Sequence, residues 1–172
     1  MIELFIGRYL ANATSVEPPK MQEWPTCAMS AVFECETRKT WKVTDTMKVR
    51  TSSPWDWLDG SYPFDVLDRL TENSYIRWWD FITRRHAKKW LENWGVHPLV
   101  IYNYKVEWWF IVPREDERTN WHFACAVWYI NNHYIIRNSR GESWLNWYFL
   151  AKDDVVGRIY DVAYQNNGIK QN

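Results

Sequence analysis

Residues 121–150, WHFACAVWYINNHYIIRNSRGESWLNWYFL, contain two apolar, aromatic and β-branched runs that a pair of asparagines separates. Such runs on either side of Asn131-Asn132 predict two antiparallel strands joined by a two-residue turn. His122 stands at the start of the first run, and Asn138 directly follows the second. Because antiparallel pairing places the start of one strand beside the end of the next, we expect both side chains at the same end of a hairpin.

A cysteine upstream of this hairpin completes a set of residues suited to nucleophilic catalysis. A thiol with the ordinary pKa of about 8.5 is mostly protonated at neutral pH, so a thiol nucleophile needs an imidazole partner. A third group must then orient the imidazole ring. Cys27 follows Thr26, a good helix N-cap, and a helix predicted from about Cys27 to Lys39 would place the sulfur at the positive end of the helix dipole.

The hairpin segment resembles the C-terminal half of the papain-like cysteine peptidases. The residues that carry this resemblance are His122, Ala124, Ala126, Val127, Tyr129, the run 134–137, Asn138-Ser139, Gly141, Trp144 and the run 146–149. Upstream, residues 16–22 resemble the family's Val-x-Pro-x-Lys-x-Gln, and residues 27–32 resemble the start of its central helix. Residues 60–63 and 87–100 resemble two intervening segments, so the likeness extends over most of the chain from Val16.

The resemblance implies an α+β fold with a helical N-terminal lobe and an antiparallel β-sheet C-terminal lobe. It predicts a single domain over residues 1–172, with lobes at approximately 16–94 and 95–172 and a cleft between them. Cys27 would be the nucleophile, His122 its base, Asn138 the residue that orients the imidazole, and Gln22 an oxyanion donor. The function expected from this resemblance is hydrolysis of peptide bonds in a peptide or protein substrate.

The chain also departs from the family pattern. Ala28 and Arg140 stand where the family has tryptophan, and Trp128 and Trp147 stand where it has glycine. A residue with a Cβ cannot freely adopt the positive φ values that glycine allows. An alternative interpretation is therefore a papain-like fold that no longer catalyses and serves as a binding or interaction module. A third interpretation, a tryptophan-rich carbohydrate-binding domain, requires several indoles exposed in one plane.

Hydrophobic periodicity gives the same α+β class, because helical patterns precede strand patterns along the chain. Helices are predicted from Pro63 to about Glu72 and from about Trp79 to Trp94, with Gly95 as a C-terminal stop. Antiparallel strands are predicted at residues 99–104, 108–112, 122–130, 133–137, 147–150 and 158–164.

Composition limits the function classes. The 172 residues fit one domain, given a usual size of about 100 to 200 residues. The 21 basic and 21 acidic side chains are dispersed, which favours neither a nucleic-acid nor a membrane partner. The first ten residues contain too short an apolar run for a secretory or spanning segment. We expect a monomer without a cofactor. Zinc ligation is not expected, since no Cys-x-x-Cys or His-x-x-x-His pair occurs.

Three further expectations concern individual residue types. Cys35 and Cys125 are predicted to fill the core as reduced cysteines, and the odd cysteine count favours the cytoplasm. Most of the 14 tryptophans are predicted to be buried in packing. His86, inside a basic run, is predicted to lie on a solvated helix face, and His133 to lie in the hairpin.

Overall fold

A computed structural model of the chain describes residues 27–46, 48–49, 63–116, 120–137 and 148–165. These residues form three helices and eight strands. The helices are α1 (Cys27–Thr40), α2 (Pro63–Glu72) and α3 (Arg84–Glu92). The strands are β1 (Ile76–Ile82), β2 (His97–Tyr102), β3 (Tyr104–Glu107), β4 (Phe110–Pro113), β5 (Trp121–Ile130), β6 (His133–Arg137), β7 (Tyr148–Ala151) and β8 (Val156–Tyr164).

All eight strands belong to one sheet, in the order β1-β8-β2-β5-β6-β7-β4-β3. Every neighbouring pair is antiparallel except β4 and β7, which are parallel. The α+β class is confirmed, whereas the expectation of a purely antiparallel sheet was wrong. Alternation of apolar residues identifies a strand but does not set its direction, which here is decided by where the β3–β4 hairpin docks.

Helices cover both faces of the sheet, and β5 is buried between them. Its odd-numbered residues Phe123 and Cys125 join the core layer beneath α1. Ala124 and Ala126 join the other layer, where α3 contributes Ala87 and Leu91. Successive strand residues point to opposite faces, so burial on both faces explains why β5 reads as a continuous apolar run.

Two of the three predicted helices are confirmed, and the third is shorter than predicted. The expected helix from Trp79 to Trp94 was wrong over its first part, because Ile76–Ile82 forms β1 and pairs with β8. Thr83 then caps α3, its hydroxyl oxygen accepting a hydrogen bond from the His86 backbone N–H at 3.2 Å. This N-cap is a local signal of a helix start that the longer helical pattern concealed.

The tryptophans are far less buried than predicted. None of the nine tryptophans in the described segments is fully buried, and Trp41, Trp94 and Trp108 are exposed by 73%, 70% and 83%. These three have positive φ angles of 64°, 67° and 61°, a conformation that favours glycine. Trp78 in β1 and Trp90 in α3 are exposed as well, so within the described segments the prediction of mostly buried indoles was wrong.

The C-terminus of α3 shows how one of these turns is built. The Gly95 N–H donates to the Trp90 carbonyl at 2.8 Å, and the Trp94 N–H donates to the Leu91 carbonyl at 3.2 Å. This pair of hydrogen bonds defines a Schellman motif, in which the residue at the position of Trp94 must be left-handed. A Cβ on Gly95 would lie 2.8 Å from the Trp90 oxygen, so the following glycine is required by close packing.

A disulfide joins α1 to β5. Cys35 and Cys125 form this bond, with their Cα atoms 5.8 Å apart and 90 residues between them in sequence. Both residues are fully buried, as predicted, but the expectation that they are reduced was wrong. The pairing depends on how a helix packs on a distant strand, which the local sequence around either cysteine does not indicate.

We predict that Trp94→Gly is more stable to unfolding than Trp94→Ala by about 1 kcal/mol, because only glycine adopts the left-handed conformation without strain. Both variants lose the stacked contact of Trp94 with Trp128, so their comparison isolates the backbone. Urea unfolding gives the two free energies. Equal stability of the two variants would show that this turn carries no conformational strain.

Removing the disulfide by Cys35→Ala with Cys125→Ala should lower the free energy of unfolding by about 2 to 5 kcal/mol, because the bond closes a long loop in the unfolded chain. Urea titrations of the double variant and of the unmodified protein measure the change. Cys27→Ala is the matched control and should leave the midpoint near its original value. Alkylation of Cys35 and Cys125 in the unfolded protein without any reductant would contradict the pairing.

Candidate functional site

Cys27 is the first residue of the 14-residue helix α1 and lies outside the disulfide. Its side chain is partly buried and packs against the core layer beneath α1. The helix boundary agrees with the prediction that Cys27 stands at a helix N-terminus. Backbone N–H groups there are not used within the helix, and the dipole favours negative charge, which suits a thiolate.

His122 is the second residue of β5, and only 1% of its surface is exposed. It lies opposite Ile101 of β2 in the antiparallel register. Ile101 and Ala124 belong to the core layer beneath α3, so strand alternation directs the His122 side chain towards that layer. Cys125 faces the other way, towards α1, and the hairpin pattern in the sequence did not indicate which face His122 would take.

The elements that carry Cys27 and His122 are nevertheless packed together and covalently joined. Cys27 lies eight residues before Cys35 in α1, about 12 Å along the helix axis. His122 lies three residues before Cys125 in β5, about 10 Å along the strand. Cys27 packs on the layer beneath α1, whereas His122 faces the layer beneath α3, so the structure does not place the two side chains on the same face of the sheet.

The predicted β5–β6 hairpin is confirmed. Ile130 pairs with His133, and the two turn residues Asn131 and Asn132 have φ angles of 50° and 63°, as a type I′ turn requires. The described part of β6 ends at Arg137, opposite Cys125. Asn138 and Gln22, the other two predicted site residues, lie outside the described residues.

A buried polar network lies between α1 and the hairpin. Arg137 is 2% exposed and forms an ion pair with Glu34 of α1. The Tyr148 hydroxyl oxygen of β7 accepts hydrogen bonds from Arg137 Nη1 at 2.9 Å and from Arg38 Nη2 at 2.7 Å. Burial raises the pKa of Glu34, and the nearby charges of Arg137 and Arg38 oppose that rise.

The sequence interpretation did not identify this network. Its local sign is that two glutamates, Glu34 and Glu36, flank the buried Cys35 in this helix. The network ties α1 to β6 and β7, so the strand that leads into Asn138 is held against the helix that begins at Cys27.

The other histidines have separate environments. His97 is buried, and its Nδ1 lies 3.2 Å from the Tyr160 carbonyl oxygen, so Nδ1 carries the donated proton. Burial lowers the pKa of His97, with a smaller contribution from Lys39, while Asp161 and the Tyr160 carbonyl oppose the shift. His86 is exposed on α3, as predicted, and His133 lies at the start of β6 in the hairpin.

Neither a metal-binding cluster nor a membrane-spanning helix is found within the described segments. No group of three or more His, Cys, Asp or Glu residues is placed there to hold a metal ion. None of the helices found there is long and apolar enough to cross a bilayer. No protein-family model matches the sequence, and the comparison with curated proteins gives no match.

We predict that the protein loses stability through His97 as the pH falls. Because burial lowers the pKa of His97 in the folded state, the unfolded chain binds this proton first, below about pH 6.5. The contribution of neutral His97 to the free energy of unfolding is therefore complete above that pH and is lost below it. Urea unfolding at about pH 7.5 and about pH 5.5 should show a larger loss for the unmodified protein than for His97→Gln.

The exposed His86 provides a matched control, since His86→Gln should keep the pH dependence of the unmodified protein. Burial raises the pKa values of Glu34 and Glu36, which act in the opposite direction and are present in every variant. Identical pH dependence in His97→Gln and the unmodified protein would show that His97 does not titrate differently on folding.

Proposed function

We propose that this chain is a papain-like cysteine peptidase in which Cys27 is the nucleophile and His122 its general base. The observation that carries the proposal is that Cys27 begins a helix packed on the strand that bears His122, with a disulfide joining the two elements. Asn138 orients the imidazole and Gln22 donates a hydrogen bond to the oxyanion, as the resemblance in the sequence implies.

In the proposed reaction, His122 takes the thiol proton and the Cys27 sulfur attacks the carbonyl carbon of the peptide. The C–N bond of the tetrahedral intermediate breaks, and His122 returns the proton to the leaving amine. Water then hydrolyses the thioester, releasing the new carboxyl group and restoring the thiol. The backbone N–H groups at the start of α1 favour the thiolate and the oxyanion.

The proposed reaction requires the His122 imidazole to contact the Cys27 sulfur. Strand alternation directs His122 towards the layer beneath α3, so its imidazole must meet the sulfur around the N-terminal end of β5. His122 is the second residue of this strand, preceded only by Trp121.

The same orientation favours a second candidate function. In a papain-like fold that binds a peptide or protein without cleaving it, His122 is a buried structural histidine and Cys27 an ordinary helix-terminal residue. The layer position of His122, opposite Ile101, is the observation that supports this alternative. The two functions differ in whether the imidazole changes the reactivity of the thiol.

We predict that iodoacetamide alkylates Cys27 near pH 6.5 faster than a model thiol, and that His122→Gln slows the reaction by about tenfold or more. Peptide digestion mapped by mass spectrometry identifies the modified residue. Cys27→Ala should abolish alkylation of the folded, unreduced protein and turnover of a fluorogenic peptide. Cys35 and Cys125 should remain unlabelled, because the disulfide protects them.

His86→Gln is the control, because His86 is exposed on α3 and has no part in the proposed reaction. Cys27 of this variant should be alkylated at the rate observed in the unmodified protein. If His122→Gln also reacts at that rate while remaining folded by circular dichroism, the imidazole does not activate the thiol, and the proposed peptidase mechanism is wrong.

A further inference from the structure

A cavity of about 370 Å³ lies where β4, β6 and β7 meet. It is remote from the proposed catalytic end of the sheet. His133 lines the cavity and pairs with Ile130, which is eight residues, or about 26 Å, along β5 from His122. The cavity is therefore a second candidate binding site, and its interpretation does not depend on the proposed peptidase function.

The inner wall of the cavity is apolar. Phe110 and Leu150 line it from the same face of the sheet, and the parallel pairing of β4 with β7 places them side by side. The His133 ring packs against Phe110 with 6.0 Å between ring centroids. Its Nδ1 donates a hydrogen bond to the Asn131 carbonyl oxygen at 2.7 Å, which fixes the ring and leaves Nε2 as an acceptor in the neutral form.

The rim of the cavity carries two opposite charges. Lys152 and Asp154 both line it, two residues apart in the turn after β7. Hydrogen bonds within this turn fix its backbone, the Val155 N–H donating to the Lys152 carbonyl at 3.2 Å. Asp153, between them, is held on the other side by Lys88 of α3, with 2.6 Å between Nζ and Oδ2. The turn therefore presents a cation and an anion from a supported backbone.

We propose that this cavity binds a free α-amino acid with an apolar side chain. The Lys152 ammonium pairs with the ligand's carboxylate, Asp154 pairs with its ammonium group, and the side chain occupies the apolar wall. A ligand with one charge would meet one rim group of the same sign, whereas a zwitterion pairs with both. The volume of about 370 Å³ lies at the lower end of the range of about 300 to 1,000 Å³ for ligand pockets and has room for a single amino acid.

Titration of the full chain with L-leucine, leucinamide and N-acetyl-leucine tests the proposal by calorimetry. We expect saturable leucine binding and at least fivefold weaker binding of each derivative, because each removes one of the two charges. Lys152→Met should abolish the discrimination against leucinamide, and Asp154→Asn should abolish the discrimination against N-acetyl-leucine. Each variant thus loses the discrimination against one derivative and keeps the other, whereas an unfolded variant would lose binding of all three ligands.

Lys89→Met and Asp65→Asn are matched controls, since both residues are exposed on helices and neither lines the cavity. They should keep the affinity and both preferences of the unmodified protein. Absence of saturable leucine binding up to about 10 mM would overturn the proposal. So would equal affinity for leucine and either derivative, or Lys152→Met and Asp154→Asn variants that stay folded and bind all three ligands as before.

Discussion

The contact of α1 with β5 is the interaction on which the rest of the structure depends. It joins an early helix to a strand near the middle of the sheet, and the Cys35–Cys125 disulfide closes it covalently across 90 residues. Tyr164 of β8 adds a hydrogen bond from its hydroxyl to the Val32 carbonyl at 2.8 Å. Helix α1 is thereby attached to two strands on different sides of β2.

Buried polar side chains fix the position of α1 on the sheet. Glu34 and Arg137 are both removed from water, which costs free energy unless each charge is paired and hydrogen-bonded. Arg38 and Tyr148 supply the additional partners. An apolar contact would tolerate small shifts of the helix over the sheet, whereas this network is satisfied in one arrangement only. It gives α1 a defined position against β6 and β7.

The local sequence was sufficient to predict several elements, including the helix that carries Cys27 of the proposed site. The start of α1 at Cys27, all of α2 and the β5–β6 hairpin follow from caps, periodicity and turn residues, which act over a few positions. The edge strand β1 was missed because its aromatic run continues smoothly into the helical pattern of α3. The left-handed tryptophans were missed because glycine is the residue expected at such turns.

The sequence by itself determined the α+β class, the helix that begins at Cys27 and the strand that begins just before His122, because these depend on neighbouring residues. Only the tertiary structure decided that Cys35 bonds Cys125, that Arg137 and Glu34 are buried together, and that His122 faces the layer beneath α3. Each of these depends on contacts between residues far apart in the chain. Such contacts form only when complete elements pack, and no local pattern encodes the face or partner that packing selects.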